Sequence, residues 1–269
     1  MSSQPLQASE AALETISKYF PIALVDTVFF GALFNALEAL GFKSDNSIAI
    51  VNTCRDELAR PLSNSFDKTY GNSFNLSGIA GILTAGTLGF NAAISHSPVS
   101  EDGKEKYVFF GSTHVAVDEK GVEGLVLREG RAKPSHACGA IVAIKQEIDS
   151  NIQQDGVVHD DNVEYGILKK KLFAKNLGAN PTIFELTKAT CEIITSDIED
   201  HISKTVDPKK SDYVVITGVQ IHAGRLGGSW IPDAVIDYIA PLTSYVVIGG
   251  ERHELKTDGK SYFPEKTAA

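Results

Sequence analysis

Residues 47–54, SIAIVNTC, decide the fold, because an apolar run rich in β-branched side chains stops there at Cys54. Such a run is typical of a strand covered on both faces, as in a parallel sheet. Similar runs occur at residues 107–117, 212–222 and 245–250. Helical spacing of apolar residues occurs between them, at residues 163–177 and 183–202. This alternation predicts an α/β fold with a mostly parallel central sheet flanked by helices.

Working outward, we expect two helices ahead of the first strand, over about residues 9–41, with Ser9 as the first cap. After that strand, a short helical turn is expected to stop at Pro61. The glycines among small apolar residues at 74–96 predict a close-packed helix. With no repeat or linker visible, the expectation is a single α/β domain over residues 1–269, with its core at about residues 47–250.

The composition excludes several classes of protein. The chain has 269 residues, 43% of them hydrophobic, and a net charge of −9. An acidic chain argues against nucleic acid as a partner. No apolar run reaches the ~18–20 residues of a membrane span, and the first residues lack the pattern of a secretory signal or transit peptide. Only three cysteines occur, which argues against a disulfide framework and for a reducing compartment.

Two of the three cysteines stand where functional groups are expected. Cys54 follows a strand, at the edge of a parallel sheet where ligands bind, and Cys138 opens an apolar segment. His114 lies in the second strand. Two thiolates and one imidazole suit zinc and leave a fourth position for water. Their spacing matches no short zinc motif, so buried structural cysteines and a core histidine stay an alternative; Cys191 is expected to be one of these buried cysteines.

A carboxylate follows Cys54 closely, at Asp56. If a guanidinium holds it beside zinc, a carboxylate can accept a hydrogen bond from the metal-bound water. Arg60 is at helical spacing from Asp56, and Arg55 is adjacent. The alternative is a solvated charge pair at the start of a helix.

Further histidines are open candidates. His136 is a rival metal ligand, because residues two apart on an extended segment point to one face and Cys138 is two residues away. His96 follows a predicted helix and is either a proton relay or a helix C-terminal histidine. His222 ends the third strand and is either a site residue or a structural donor.

Three segments carry a family resemblance: residues 54–61 (CRDELARP), 107–114 (YVFFGSTH) and 135–140 (SHACGA). Together they resemble the limiting-CO2-inducible protein B family, the theta-class carbonic anhydrases, over about residues 19–250. The resemblance implies a beta-carbonic-anhydrase-like fold and a Zn²⁺ ion bound by Cys54, His114 and Cys138, with His114 favoured over His136 as the ligand.

It also implies that Asp56 belongs to an Asp–Arg dyad. The beta-class pattern has the arginine two residues after the aspartate, where this chain has Leu58. Arg60 or Arg55 would therefore substitute, and His136 or His96 would relay protons.

The implied activity is reversible hydration of carbon dioxide to bicarbonate by a zinc-hydroxide mechanism, in inorganic-carbon acquisition. The resemblance also implies a homodimer, in the chloroplast stroma if the source is algal and otherwise in the cytoplasm. Two alternatives remain. One is a catalytically silent zinc-bound scaffold or CO2/bicarbonate-binding subunit. The other is a thiol redox enzyme, which the lack of a Cys-x-x-Cys pair disfavours.

Overall fold

A computed structural model describes residues 8–128, 130–150, 158–224, 235–257 and 262–264. The α-helices in these residues are α1 (Glu10–Tyr19), α2 (Asp26–Ala39), α3 (Arg60–Tyr70), α4 (Gly86–Ile94), α5 (Gly139–Asp149), α6 (Val163–Ala174) and α7 (Ile183–Thr205). The strands are β1 (Leu24–Val25), β2 (Ile48–Asn52), β3 (Ser73–Asn75), β4 (Glu105–Val117), β5 (Leu125–Val126), β6 (Ser135–His136), β7 (Ser211–Gly224), β8 (Val235–Ile248), β9 (Glu251–Thr257) and β10 (Tyr262–Pro264). Two short 3-10 helices are η1 (Glu57–Ala59) and η2 (Ile79–Gly81).

The central sheet is mixed. Its strands follow the order β10-β9-β8-β7-β4-β2-β3, and β1 pairs with β8 outside that path. Strands β3, β2, β4 and β7 are parallel to one another, whereas β8, β9 and β10 continue the sheet in antiparallel pairing. The α/β fold class with flanking helices is confirmed, but the expected mostly parallel sheet is wrong: the sheet is mixed, and parallel pairing is confined to the four strands on one side.

Helices cover both faces of the sheet because successive side chains of each strand point to opposite faces. From β4, Val108 and Phe110 pack against α2 and α3. The alternate Tyr107 and Phe109 pack against α4 and α7. All four side chains are buried, which explains why the strand reads as a continuous apolar run instead of an alternating one.

The parallel strands end at different positions along the sheet. Strand β2 ends at Asn52, which pairs with Gly111, whereas β4 continues to Val117 alongside β7. Cys54, just past the end of β2, forms an isolated bridge with Gly78. The chain therefore turns away from the sheet beside the part of β4 that β2 does not pair with, and His114 lies in that part.

The predicted helix over residues 74–96 is wrong. That segment contains β3, η2 and α4 in succession. Gly81 has φ +81°, and a Cβ there would collide with the carbonyl oxygen of Ser112. The Nδ2 atom of Asn52 donates a hydrogen bond to the Gly81 carbonyl oxygen. The glycines thus permit a tight loop over the end of the sheet, which is a different use from close helix packing.

Two expectations near the N-terminus have different outcomes. Ser9 caps α1, since its side chain accepts a hydrogen bond from the Ala12 amide, as predicted. Pro61 does not stop a turn, because it lies in the first turn of α3, where its missing N–H costs nothing. Across the described residues, none of the helices combines the length and the apolar character needed to cross a bilayer.

Candidate metal centre

Cys54, His114 and Cys138 meet at the carboxyl edge of the parallel strands. Their ligand atoms all lie within 4.8 Å of one another, and the two Sγ atoms are 3.9 Å apart without a disulfide. Cys54 follows β2, His114 belongs to β4, and Cys138 is the residue before α5. All three are buried. The structure thus brings together the three residues that the sequence singled out as metal ligands.

The donor atoms fit a metal ion. His114 Nε2 is one of six buried side-chain polar atoms in the described residues with no hydrogen-bond partner, and of the six it alone lies among two free thiols. A buried polar atom without a partner costs free energy. A cation bound by this nitrogen and both sulfurs would remove that cost, because Cys and His are the ligand types that zinc prefers.

Local backbone groups favour negative charge on both sulfurs. The backbone amides of Ala140 and Ile141, in the first turn of α5, act to lower the pKa of Cys138, because a helix N-terminus adds positive potential there. The backbone amide of Asp56 likewise acts to lower the pKa of Cys54. In the metal-free pair, the Cys138 thiol donates to Cys54 and lowers the pKa of Cys54. The same hydrogen bond and burial raise the pKa of Cys138.

Arg128, and not Arg60 or Arg55, holds Asp56. Its Nη1 and Nη2 atoms donate to Asp56 Oδ1 and Oδ2, both at 2.9 Å. The expected pairing with Arg60 is wrong, since Arg60 is exposed at the start of α3. Arg55 instead forms a bidentate pair with Glu164. Asp56 is directed inward because its Oδ1 also accepts the Leu58 amide at the start of η1.

The two-stranded ribbon of β5 and β6 positions Arg128. The guanidinium donates from Nε to Ser135 Oγ at 2.8 Å and from Nη2 to the His136 carbonyl oxygen at 2.9 Å, and Nη1 also contacts Glu57. Burial alone would raise the pKa of Asp56, but the hydrogen bonds and the positive charge of Arg128 hold it well below its usual range. Asp56 is therefore ionised, with Oδ2 lying 3.9 Å from His114 Nε2.

The other predicted histidines lie outside the ligand group. His136 is exposed, and its backbone carbonyl, not its imidazole, contributes to the site through Arg128. His96 lies at the opposite edge of the sheet, against Phe74 and beside Ile48 at the start of β2. The five residues of β2 separate that edge from Cys54 by about 16 Å, so the prediction of His96 as a proton relay at the metal centre is wrong.

Three further residues of the site, Arg128, Asp237 and Gln220, were not predicted from the sequence. His222, for which the sequence allowed two roles, also lies at the site. His222 Nε2 lies 3.0 Å from His114 Nδ1, and its Nδ1 lies 2.7 Å from Asp237 Oδ1. Gln220 Nε2 lies 2.9 Å from Asp237 Oδ2. A carboxylate inside the mostly apolar stretch VIDYIA at 235–240 was the available signal for Asp237.

Comparisons with known proteins identify the family and the fold of this chain. A model of the family described as limiting CO2-inducible proteins B/C beta carbonic anhydrases matches residues 24–248. The crystal structure of limiting CO2-inducible protein LCIB is 32% identical, with 89% of this chain and 96% of that chain covered and a TM-score of 0.70.

The structure of PtLCIB4, a homolog of LCIB, is 23% identical, with 90% of this chain and 98% of that chain covered and a TM-score of 0.73. At that identity it supports the fold alone. A search of curated proteins found no match.

Proposed function

Because this chain belongs to the family of limiting CO2-inducible proteins B/C beta carbonic anhydrases, we propose that it catalyses the zinc-dependent interconversion of carbon dioxide and bicarbonate. The observation that carries the proposal is the cluster of Cys54, His114 and Cys138, in which the buried Nε2 atom of His114 has no hydrogen-bond partner. Three protein ligands leave a fourth position for a reacting water, as catalytic zinc sites require.

Each side chain around this position has a role that its contacts support. Zn²⁺ held by the three ligands would lower the pKa of a bound water from about 15.7 toward about 7. Asp56 offers a hydrogen-bond acceptor next to the ligand set, and Arg128 keeps its carboxylate ionised and fixed in orientation. A fixed acceptor orients the attacking oxygen without the cost of ordering it during the reaction.

The wall beside the two cysteines suits an apolar substrate. One buried cluster contains both cysteines together with aliphatic side chains from η1, from η2 and the residue after it, and from α5, namely Ala59, Ala80, Ile82, Ile141 and Ile144. Carbon dioxide has no hydrogen to donate and gains from a site that excludes competing water. His136, exposed and two residues before Cys138, is our candidate for passing the released proton to buffer.

The Asp56–Arg128 pair favours an active enzyme over the silent scaffold. A carboxylate that ligated the metal would close the fourth position. In this structure both Asp56 oxygens accept hydrogen bonds from Arg128, and this pairing competes with ligation of the metal by the carboxylate. We propose a role in inorganic-carbon acquisition. The homodimer and the chloroplast or cytoplasmic location stay predictions.

The test combines zinc content with stopped-flow hydration of carbon dioxide for the wild type, Cys54→Ala and Cys191→Ala. Cys191 is a matched control, because it is also buried and free but packs with Phe184 and Val219 instead of the metal ligands. We expect one zinc per chain and measurable hydration in the wild type and Cys191→Ala, and loss of both in Cys54→Ala. Zinc without hydration would favour the silent scaffold, and no zinc would refute the site.

A further inference from the structure

Three adjacent strands align His114, His222 and Asp237 on one face of the sheet. His114 of β4 is the register partner of Gln220 in β7, and His222 follows two residues later, on the same face. His222 is in turn the register partner of Asp237 in β8. The antiparallel strand β8 thus contributes Asp237 to the site at the ends of the parallel strands. Asp237 is connected to this site through the imidazole rings of His222 and His114.

With Asp237 ionised and both imidazoles neutral, the hydrogen bonds in this row have one possible direction. A carboxylate only accepts hydrogen bonds, so His222 Nδ1 donates to Asp237 Oδ1 at 2.7 Å. The Nε2 atom of the neutral His222 ring then accepts, so the donor across the 3.0 Å contact is His114 Nδ1. A neutral imidazole carries one proton, and His114 Nε2 is therefore left with a free lone pair. Because Nδ1 is occupied by His222, Nε2 is the nitrogen that remains available as a ligand beside Cys54 and Cys138.

A glutamine fixes the far end of the row. Gln220 Nε2 donates to Asp237 Oδ2 at 2.9 Å and to the Leu58 carbonyl oxygen at 3.2 Å. Leu58 is in η1, two residues after Asp56, so this one amide links the row to the turn that carries Asp56. Both imidazoles are fully buried, where water cannot replace a lost hydrogen-bond partner.

We propose that His222 and Asp237 are positioning residues, which hold His114 in the tautomer and ring orientation that present Nε2 to the metal ion. The inference rests on the proposed function in requiring a metal at this site. It adds two residues, 108 and 123 positions beyond His114 in the chain, to the determinants of metal affinity. Ligating histidines generally donate their second N–H to a partner that fixes the tautomer, and loss of that partner weakens the site.

The first test measures zinc affinity by competition with a chromogenic chelator. In His222→Leu the acceptor for His114 Nδ1 is lost, and we expect affinity to fall about 10- to 100-fold. In His222→Gln the side-chain oxygen can accept from His114 while the amide nitrogen donates to Asp237, so most of the affinity should return. His201→Leu is the control, because His201 stacks on Phe90 away from the metal centre. A purely structural role would lower stability in both His222 variants without this difference in affinity.

The second test uses the metal-free wild type and does not depend on zinc. Nitrogen-15 NMR of the imidazoles should show His114 as the Nδ1–H tautomer. Asp237→Asn, which preserves shape, should mix the two tautomers and reduce zinc affinity, and it keeps the test decisive if His222→Leu does not fold. An Nε2–H tautomer at His114, or equal affinity in all variants, would overturn this inference while leaving the proposed function intact. Failure of the wild type to bind zinc would instead overturn both.

Discussion

The two edges of the parallel strands differ in how their polar groups are satisfied. The amino edge has a cavity lined by Ser47, Tyr70, Ser73 and His96, yet Ser73 is paired with Asp67 through both its amide and its hydroxyl. In the described residues, none of the cavity-lining side chains has a buried polar atom without a partner. The carboxyl edge has such an atom at His114. The contrast teaches that a buried polar atom without a hydrogen-bond partner is a better guide to the functional edge than the presence of a cavity.

The largest effect is expected from Arg128, the arginine that the structure assigns to the carboxyl edge. Arg128→Gln removes the bidentate pairing with Asp56, and we expect stopped-flow hydration to fall about 10- to 100-fold with zinc content unchanged. Arg60→Gln, a change of the same chemistry on an exposed residue, should leave hydration unaltered. If Arg60→Gln lowered hydration more than Arg128→Gln, the partner of Asp56 would be Arg60, as the sequence spacing suggested, and the site described above would be contradicted.

A stability comparison tests the loop that covers the carboxyl edge. Gly81→Ala forces a side chain into a left-handed backbone and against Ser112, and we expect a loss of about 1–3 kcal/mol. Gly31→Ala, in α2 with open space around it, should stabilise by about 0.5–1 kcal/mol. Urea denaturation measures both. If Gly81→Ala also stabilised the protein, residues 74–96 would be helical after all.

A smaller effect is expected in the pH dependence of Arg128→Gln. In the wild type, Arg128 keeps the pKa of Asp56 low against the effect of burial. Without the guanidinium, burial raises this pKa, so Asp56 becomes protonated at a higher pH than in the wild type. The ratio of mutant to wild-type hydration should therefore decrease as the pH falls from 8 toward 6. A ratio that is constant across this range would show that Arg128 does not act through the ionisation of Asp56.

The smallest effect is expected at the amino edge. His96→Ala removes an exposed ring that contacts Phe74, far from the metal ligands. Hydration should stay within about a factor of two of wild type, both at high buffer concentration and at low buffer concentration, where a proton relay would limit the rate. A loss that is restored by adding imidazole buffer would return His96 to the role that its sequence position suggested.

The sequence was sufficient for elements with a strong local pattern. The run that ends at Cys54 predicted β2 and the edge where ligands meet. The family resemblance singled out His114 and Cys138. Arg128 could not be found in this way, because it reaches Asp56 across 72 residues of chain and spacing predicts only local pairs. Its position depends on the pairing of β5 with β6, two-residue strands without a recognisable pattern.

Strand β8 was only partly predicted, for a physical reason. Pro241 interrupts its pattern, since proline removes a donor from the hydrogen-bond ladder. In the structure Pro241 lies opposite Gly218, where the register between β7 and β8 shifts, and the strand continues through it. The first half of β8, with Asp237, was therefore missing from the prediction. The row from Asp237 through His222 to His114 depends on this tertiary pairing.

The central claim is that two cysteines and one histidine bind zinc and leave a position open for water. X-ray absorption at the zinc edge of the purified wild-type protein tests it most directly. We predict two Zn–S distances of about 2.3 Å, and nitrogen or oxygen ligands at about 2.0–2.1 Å. A first shell without sulfur, or with four protein ligands and no exchangeable water, would contradict the account.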